Sequence, residues 1–97
     1  MSKSIILGDR KGRCYICHRV CITENHHIFF GINRKRSDAD GMTVHLCHNC
    51  HNEPPDGVHF NRMRDMWLKK HAQGTWMRHY GKTVEDFIQS YGRNYLD

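Results

Sequence analysis

The sequence predicts an α+β fold in which a zinc-stapled β-hairpin is followed by helices, and three observations carry that prediction. Two C-x-x-C pairs, Cys14 with Cys17 and Cys47 with Cys50, stand 29 residues apart. Met42 to Leu46 alternates apolar and polar residues, as a half-buried strand does, and from Val58 onward apolar residues recur at helical spacing. Ninety-seven residues make a single domain, 1–97. A chain this short buries a modest fraction of its surface, so a metal staple is the expected remedy. Three parts are expected: a basic lead-in at 1–12, zinc knuckles and finger at 13–60, and a helical part at 61–97.

In order along the chain, the lead-in carries Lys3, Arg10 and Lys11 with Gly8 and Gly12, which predicts an irregular or short-stranded segment. Cys14 to Cys17 forms the first knuckle. Val20 to Thr23 is short and β-prone, which suits the first strand of a hairpin, and Ile28 to Phe30 gives that hairpin an apolar middle. A regular strand points His26 and His27 to opposite faces, so service in one site would require a bend near Ile28. Gly31 to Gly41 has the composition of a loop. Met42 to Leu46 is the second strand and delivers Cys47 to the second knuckle, with Thr43 and His45 on its polar face. Pro54 and Pro55 keep a helix from running straight on from Cys50.

The helical pattern from Val58 places Phe60, Met63, Trp67 and His71 on one face, expected to be core. Gly74 is expected to interrupt or end this helix. Thr83 reads as an N-cap with Asp86 in the capping-box position, opening a short helix to Gly92. The end, Arg93 to Leu96, is expected to dock through its tyrosine and leucine.

The chemistry lies in the cysteines and histidines. A tight two-residue turn aims both sulfurs of a C-x-x-C pair at one ion, so Cys14, Cys17, Cys47 and Cys50 fill the tetrahedron of a structural zinc. Cys21 is left over as a small core or hairpin residue. If the chain is helical at Cys50, successive side chains diverge by about 100°, and a zinc on Cys50 is poorly placed to take His51. His26, His27, His51 and His59 therefore remain as a second cluster, beside the zinc. His18, His45, His71 and His79 read as surface or hydrogen-bonded histidines.

Composition narrows the partners. The formal charge is +5 and the pI is near 9.1, the electrostatic footprint of a nucleic-acid binder. Arg34, Lys35 and Arg36 follow the histidine pair, where guanidiniums could grip phosphates, although a merely solvated loop accounts for them equally. No secretory signal and no membrane span stands in the sequence, so a cytoplasmic protein with cysteines as metal ligands is expected.

The motifs C-Y-I-C at Cys14, N-H-H-I at Asn25, L-C-H-N-C-H at Leu46 and V-H at Val58 resemble the HNH endonucleases with their ββα-metal, treble-clef-like finger, particularly the small zinc-stapled HNH proteins of bacteriophages. The resemblance covers about half the chain. It implies that His27 is the general base and His26 a ligand of a catalytic divalent ion. His51 is implied as the ligand from the helical side of the finger, with His59 as a further ligand. Met42 stands where the family carries its middle Asn, which braces the hairpin by side-chain hydrogen bonds, and Asn33 is the nearest candidate to replace it.

The resemblance implies a metal-dependent nuclease acting on DNA in the cytoplasm of a host cell. An imidazole, with an ordinary pKa of about 6.5, suits a general base at neutral pH, its tautomer fixed by a backbone carbonyl. Imidazole ligands favour Zn2+, Ni2+ or Cu2+ by softness, while the resemblance also allows Mg2+ or Mn2+. Two other functions compete: a non-catalytic zinc module that grips nucleic acid, and an accessory factor of phage DNA packaging that depends on packaging proteins. A thiol oxidoreductase leaves the second C-x-x-C pair and the histidines unused.

Overall fold

Alternation over Met42 to Leu46 needs a partner strand, and the computed structural model, which describes residues 4–96, supplies one later in the chain than the sequence suggests. Lys3 of the basic lead-in lies outside the described residues. Strand β1 is Glu24–His27 and strand β2 is Thr43–Leu46. They pair antiparallel, Glu24 opposite Leu46, His26 opposite Val44 and His27 opposite Thr43. Val20–Thr23 is not the first strand. Val20 makes an isolated bridge to Arg13, and Ile22 is 94% exposed. β-propensity expresses a fit to a half-buried pleated surface. Here the knuckle turns the chain instead, with the Cys14 N–H on the Arg19 carbonyl and the Cys21 N–H on that of Gly12.

The lead-in is irregular and docked. Ile6 enters the core. Asp9 accepts from the His45 backbone N–H at 2.6 Å and stands 2.9 Å from its Nδ1. Ser4 donates to the Thr43 carbonyl at 2.6 Å. The lead-in thus lies against β2, and Thr43, expected on the polar face, is buried.

The segment between the strands is helical, not a loop. A 3-10 turn at Gly31–Asn33 runs into helix α1, Arg34–Ala39. Ser37, fully buried, fastens it: its hydroxyl accepts from the Phe29 N–H at 3.1 Å and donates to the Met42 carbonyl at 2.7 Å. That single side chain ties the end of one strand to the start of the next. It does the bracing expected of Asn33, which instead donates to the Tyr91 carbonyl at 3.0 Å. Asp40, just past α1, accepts from the Trp76 indole at 3.0 Å and the Tyr91 hydroxyl at 2.7 Å.

Helix α2, His48–Asn52, follows β2 directly and stops ahead of Pro54 and Pro55. The chain then folds back over it. The Val58 N–H meets the Cys50 carbonyl at 2.8 Å and the His59 N–H approaches that of His51 at 3.4 Å. A Cβ at Gly57 would lie 2.7 Å from the Glu53 amide nitrogen, so only glycine permits this return.

Helix α3, Arg62–Tyr80, begins at an Asn61 side-chain cap and runs unbroken through Gly74 to Gly81, whose φ of 62° ends it. A mid-helix glycine costs only about 1 kcal/mol relative to alanine, little against the burial of its neighbours Gln73 and Thr75. The expected core stripe is overturned: Met63 is 84% exposed and Trp67 is 54% exposed. The buried face carries Leu68, Lys69, Ala72, Gln73 and Trp76. Its polar members hide it from a periodicity argument, yet each is satisfied. Lys69 pairs with Asp65 at 2.8 Å and lies 4.0 Å over the Phe30 ring. Gln73 donates to Asn94 and accepts from the Tyr95 N–H, both at 2.7 Å.

Helix α4, Val84–Tyr91, has the expected capping box between Thr83 and Asp86, and ends at Gly92. Its Phe87 and Tyr91 close an aromatic core with Phe29 and Trp76, ring centroids 4.7–6.1 Å apart. Met42, Val44, Leu46, Leu68 and Ala72 complete the buried apolar set. Tyr95 packs against this core, as the ending predicts.

Candidate metal centres

Two groups of side chains bring donor atoms close enough to share one ion among the described residues: Cys14, Cys17, Cys47 and Cys50, and His26, His51 and His59. In each group every ligand atom lies within 4.8 Å of the others.

The thiol group is built from two turns. In the first knuckle the Cys17 N–H points at Cys14 Sγ (3.4 Å) and the His18 N–H bonds the Cys14 carbonyl (2.9 Å). The second opens α2, where the His51 N–H bonds the Cys47 carbonyl (3.0 Å). The Tyr15 N–H on the His45 carbonyl (2.9 Å) docks one knuckle beside the other. A tetrahedral zinc with thiolate arms of about 2.3 Å needs sulfurs about 3.8 Å apart. Cys17 and Cys47 stand 3.8 Å apart. Burial pushes the Cys14 thiol up, but the N–H groups of Cys17, Cys47 and Ile16 outweigh it and bring it down to about 6. Burial pushes the Cys50 thiol up, and the neighbouring Cys47 and Cys14 add to this. For all four sulfurs to ionise this close together a cation must stand among them, so the donor set fits a structural zinc.

The histidine group draws one side chain from each of three segments. His26 comes from β1 and points inward, 1% exposed. His51 comes from α2, one position past Cys50; the helical turn sends Cys50 to the thiols and His51 to the histidines, as the 100° argument requires. His59 comes from the return held by Gly57. Ring centroids of His26, His51 and His59 are 4.9–5.0 Å apart, with Phe30 against His59. Nε2 of His51 and His59 stand 3.2 Å apart, close to the roughly 3.3 Å that two imidazole arms of about 2.0–2.1 Å span around a tetrahedral ion.

His26 Nε2 is buried without a hydrogen-bond partner. Burial, then the neighbouring His51 and His59, lowers the His26 pKa to about 3, so the ring is neutral at pH 7. Burial lowers the His59 pKa too. Neutral imidazoles are the ligand form, and an orphaned buried nitrogen costs about 1–3 kcal/mol that a bound cation would offset.

Glu24, unassigned by the sequence argument, orients this group. Its Oε1 accepts from His51 Nδ1 at 2.7 Å and its Oε2 from His48 Nδ1 at 3.2 Å. These bonds hold the Glu24 carboxyl below its ordinary range and raise the His48 pKa. With a proton fixed on Nδ1, His51 presents the Nε2 lone pair to the cluster. The signal was in the sequence: Glu24 lies two residues before His26 in a strand, hence on the same face. Glu24→Gln should weaken divalent-ion binding at the histidines about 10–100-fold. Calorimetric titration with Ni2+ of protein whose thiol site already holds zinc measures this, and equal affinity in wild type and variant refutes it.

His27 joins a groove of about 290 Å³ that it lines with Asn25, His26, Phe30, Arg34, His51 and His59. The chain bends at Ile28 and Phe29, directly after β1, where shared service of the pair calls for it, and both rings line the groove. Asp38 of α1 approaches His27, Oδ1 to Nε2 at 3.2 Å. The fixing partner of this ring is thus a carboxylate rather than the expected carbonyl, and nothing in the sequence marked it, since α1 itself was unforeseen. The basic triplet divides. Arg34 lines the groove, Lys35 lines an adjoining one, and Arg36 lines neither.

What the geometry defines is a small α+β protein, a two-stranded antiparallel hairpin with helices, whose four-thiol cluster could hold a structural zinc. No protein family, curated protein or solved structure matches the chain. Among the described residues no helix is long and apolar enough to cross a membrane.

Proposed function

We propose that this protein is a metal-dependent endonuclease of the HNH kind that hydrolyses DNA phosphodiester bonds. The observation that carries the proposal is the three-histidine cluster, with His26 Nε2 buried and unpartnered, sharing one groove with His27 and Arg34. His26, His51 and His59 would hold a divalent ion, Zn2+, Ni2+, Mn2+ or Mg2+. When bound, such an ion polarises a non-bridging phosphate oxygen and neutralises charge on the leaving oxygen.

The remaining work falls to the chain's own residues. His27 takes a proton from water as the water oxygen bonds to phosphorus. The phosphorus bond to the leaving oxygen breaks, and that oxygen keeps the electron pair. Arg34 and Lys35 grip flanking phosphates from the exposed side of α1. A zinc module that only binds nucleic acid would use the thiols and the basic surface but leaves His27 and the histidine cluster without a task.

A plasmid-nicking assay tests the proposal. Purified protein should convert supercoiled to open-circular DNA only with an added divalent ion, and His27→Ala should lose that conversion. Wild-type protein that binds DNA yet nicks none with any of the four ions would sink the nuclease in favour of the binding module. The grip on phosphate has its own test. Each neutralised phosphate contributes about −0.9 to the slope of log affinity against log salt. Arg34→Ala with Lys35→Ala should therefore flatten that slope by about 2, while Arg36→Ala should leave it nearly unchanged. Equal slopes in wild type and the double variant would make the two residues solvation alone.

A further inference from the structure

We propose that Asp38 is the positioning residue for His27, holding the imidazole proton on Nε2 and leaving Nδ1 as the nitrogen that takes a proton from water. The inference rests on the nuclease reading. A carboxylate only accepts hydrogen bonds, so the 3.2 Å contact between Asp38 Oδ1 and His27 Nε2 puts the proton on that nitrogen. Asp38 lines a second groove, of about 580 Å³, with Lys35, Arg34 and Gly31, and is absent from the lining of the histidine groove. His27 lines both. The ring therefore borders both the groove of the carboxylate and that of the three histidines.

The mount is rigid. Ser37, one residue before Asp38, is locked to Phe29 and Met42, and Asp40, two residues after it, is locked to Trp76 and Tyr91. With the backbone pinned on both sides, the carboxylate has little freedom to leave the ring. The side chains of His27 and Asp38 are only 16% and 32% exposed, so water competes weakly for the bond. When Nδ1 accepts its proton, the ring becomes a cation facing an anion. Asp38 thus selects the tautomer before the transfer and stabilises the charged ring after it.

Ring-15N histidine spectra and nicking kinetics of wild type, Asp38→Ala and Asp38→Asn, all with zinc at the thiols, test this. The spectra should place the wild-type His27 proton on Nε2. In Asp38→Asn, whose amide can donate as well as accept, they should show a mixture of tautomers. In both variants kcat should fall about 10–100-fold, less than the ~10²–10⁴ a general base itself supplies. KM for DNA and divalent-ion affinity should hold. A wild-type proton on Nδ1, or an unchanged kcat in Asp38→Ala, overturns the inference. So does a fall in kcat accompanied by equal losses of melting temperature and metal affinity, which would make Asp38 a folding residue. If wild-type protein nicks no DNA with any divalent ion, the nuclease reading fails and takes this inference with it. Nicking that His27→Ala abolishes and Asp38→Ala retains overturns the inference alone.

Discussion

Cys14→Ser and Cys47→Ser should each release the zinc and abolish cooperative unfolding. Structural zinc in small fingers contributes about 10–16 kcal/mol of apparent binding energy, and that energy is folding energy. A domain of this size holds only about 5–15 kcal/mol in total, so weakening one arm of the tetrahedron removes most of the margin. The thiols also join two parts of the chain: Cys14 and Cys17 lie in the first knuckle, while Cys47 and Cys50 open α2, which carries His51. Loss of the zinc should therefore disperse the histidine cluster as well. Elemental analysis and thermal melts measure both effects; a zinc retained at one per chain with a normal melt in both variants would show that the thiols are not its ligands. Chelation of the wild type should reproduce the variants' unfolding.

The second large effect separates base from ligands at the histidines. His27→Ala should slow nicking by about 10²–10⁴ while the divalent ion binds nearly as before. His26→Ala and His51→Ala should instead bind the ion more weakly and regain part of their activity when more is supplied. The structure sharpens the contrast. His26 points into the core with an orphaned Nε2, whereas His27 has its Nε2 on Asp38. Calorimetry on each variant beside nicking rates decides the matter. Abolished ion binding in His27→Ala with normal binding in His26→Ala would exchange the two roles.

Local chemistry was legible in the sequence because it is settled within a few residues. The C-x-x-C turns, the Thr83 and Asp86 capping box, the Gly92 helix end and the divergence of Cys50 from His51 each depend on near neighbours, and the structure keeps all of them. With the thiols set aside, the residues left His26, His27, His51 and His59 as one group; only the resemblance set His27 apart from the ligands, and the structure brings His26, His51 and His59 together.

Tertiary contacts decided what remained. Val20 to Thr23 is as β-prone as any stretch here, but the pairing partner of Thr43–Leu46 is chosen by which residues the knuckle delivers opposite it, and those are Glu24 to His27. The insertion is helical because Ser37 and Asp40 bond groups up to about fifty residues away, to Phe29, Met42, Trp76 and Tyr91. Periodicity chose the wrong face of α3 because Lys69 and Gln73, polar by composition, are buried once Asp65, Asn94 and Tyr95 satisfy them. Residue types and short spacings therefore determined which side chains could bind metal. The partners that orient them, Glu24 for His51 and Asp38 for His27, were set by the folded chain, because a hydrogen bond between distant residues exists only after the backbone has brought them together.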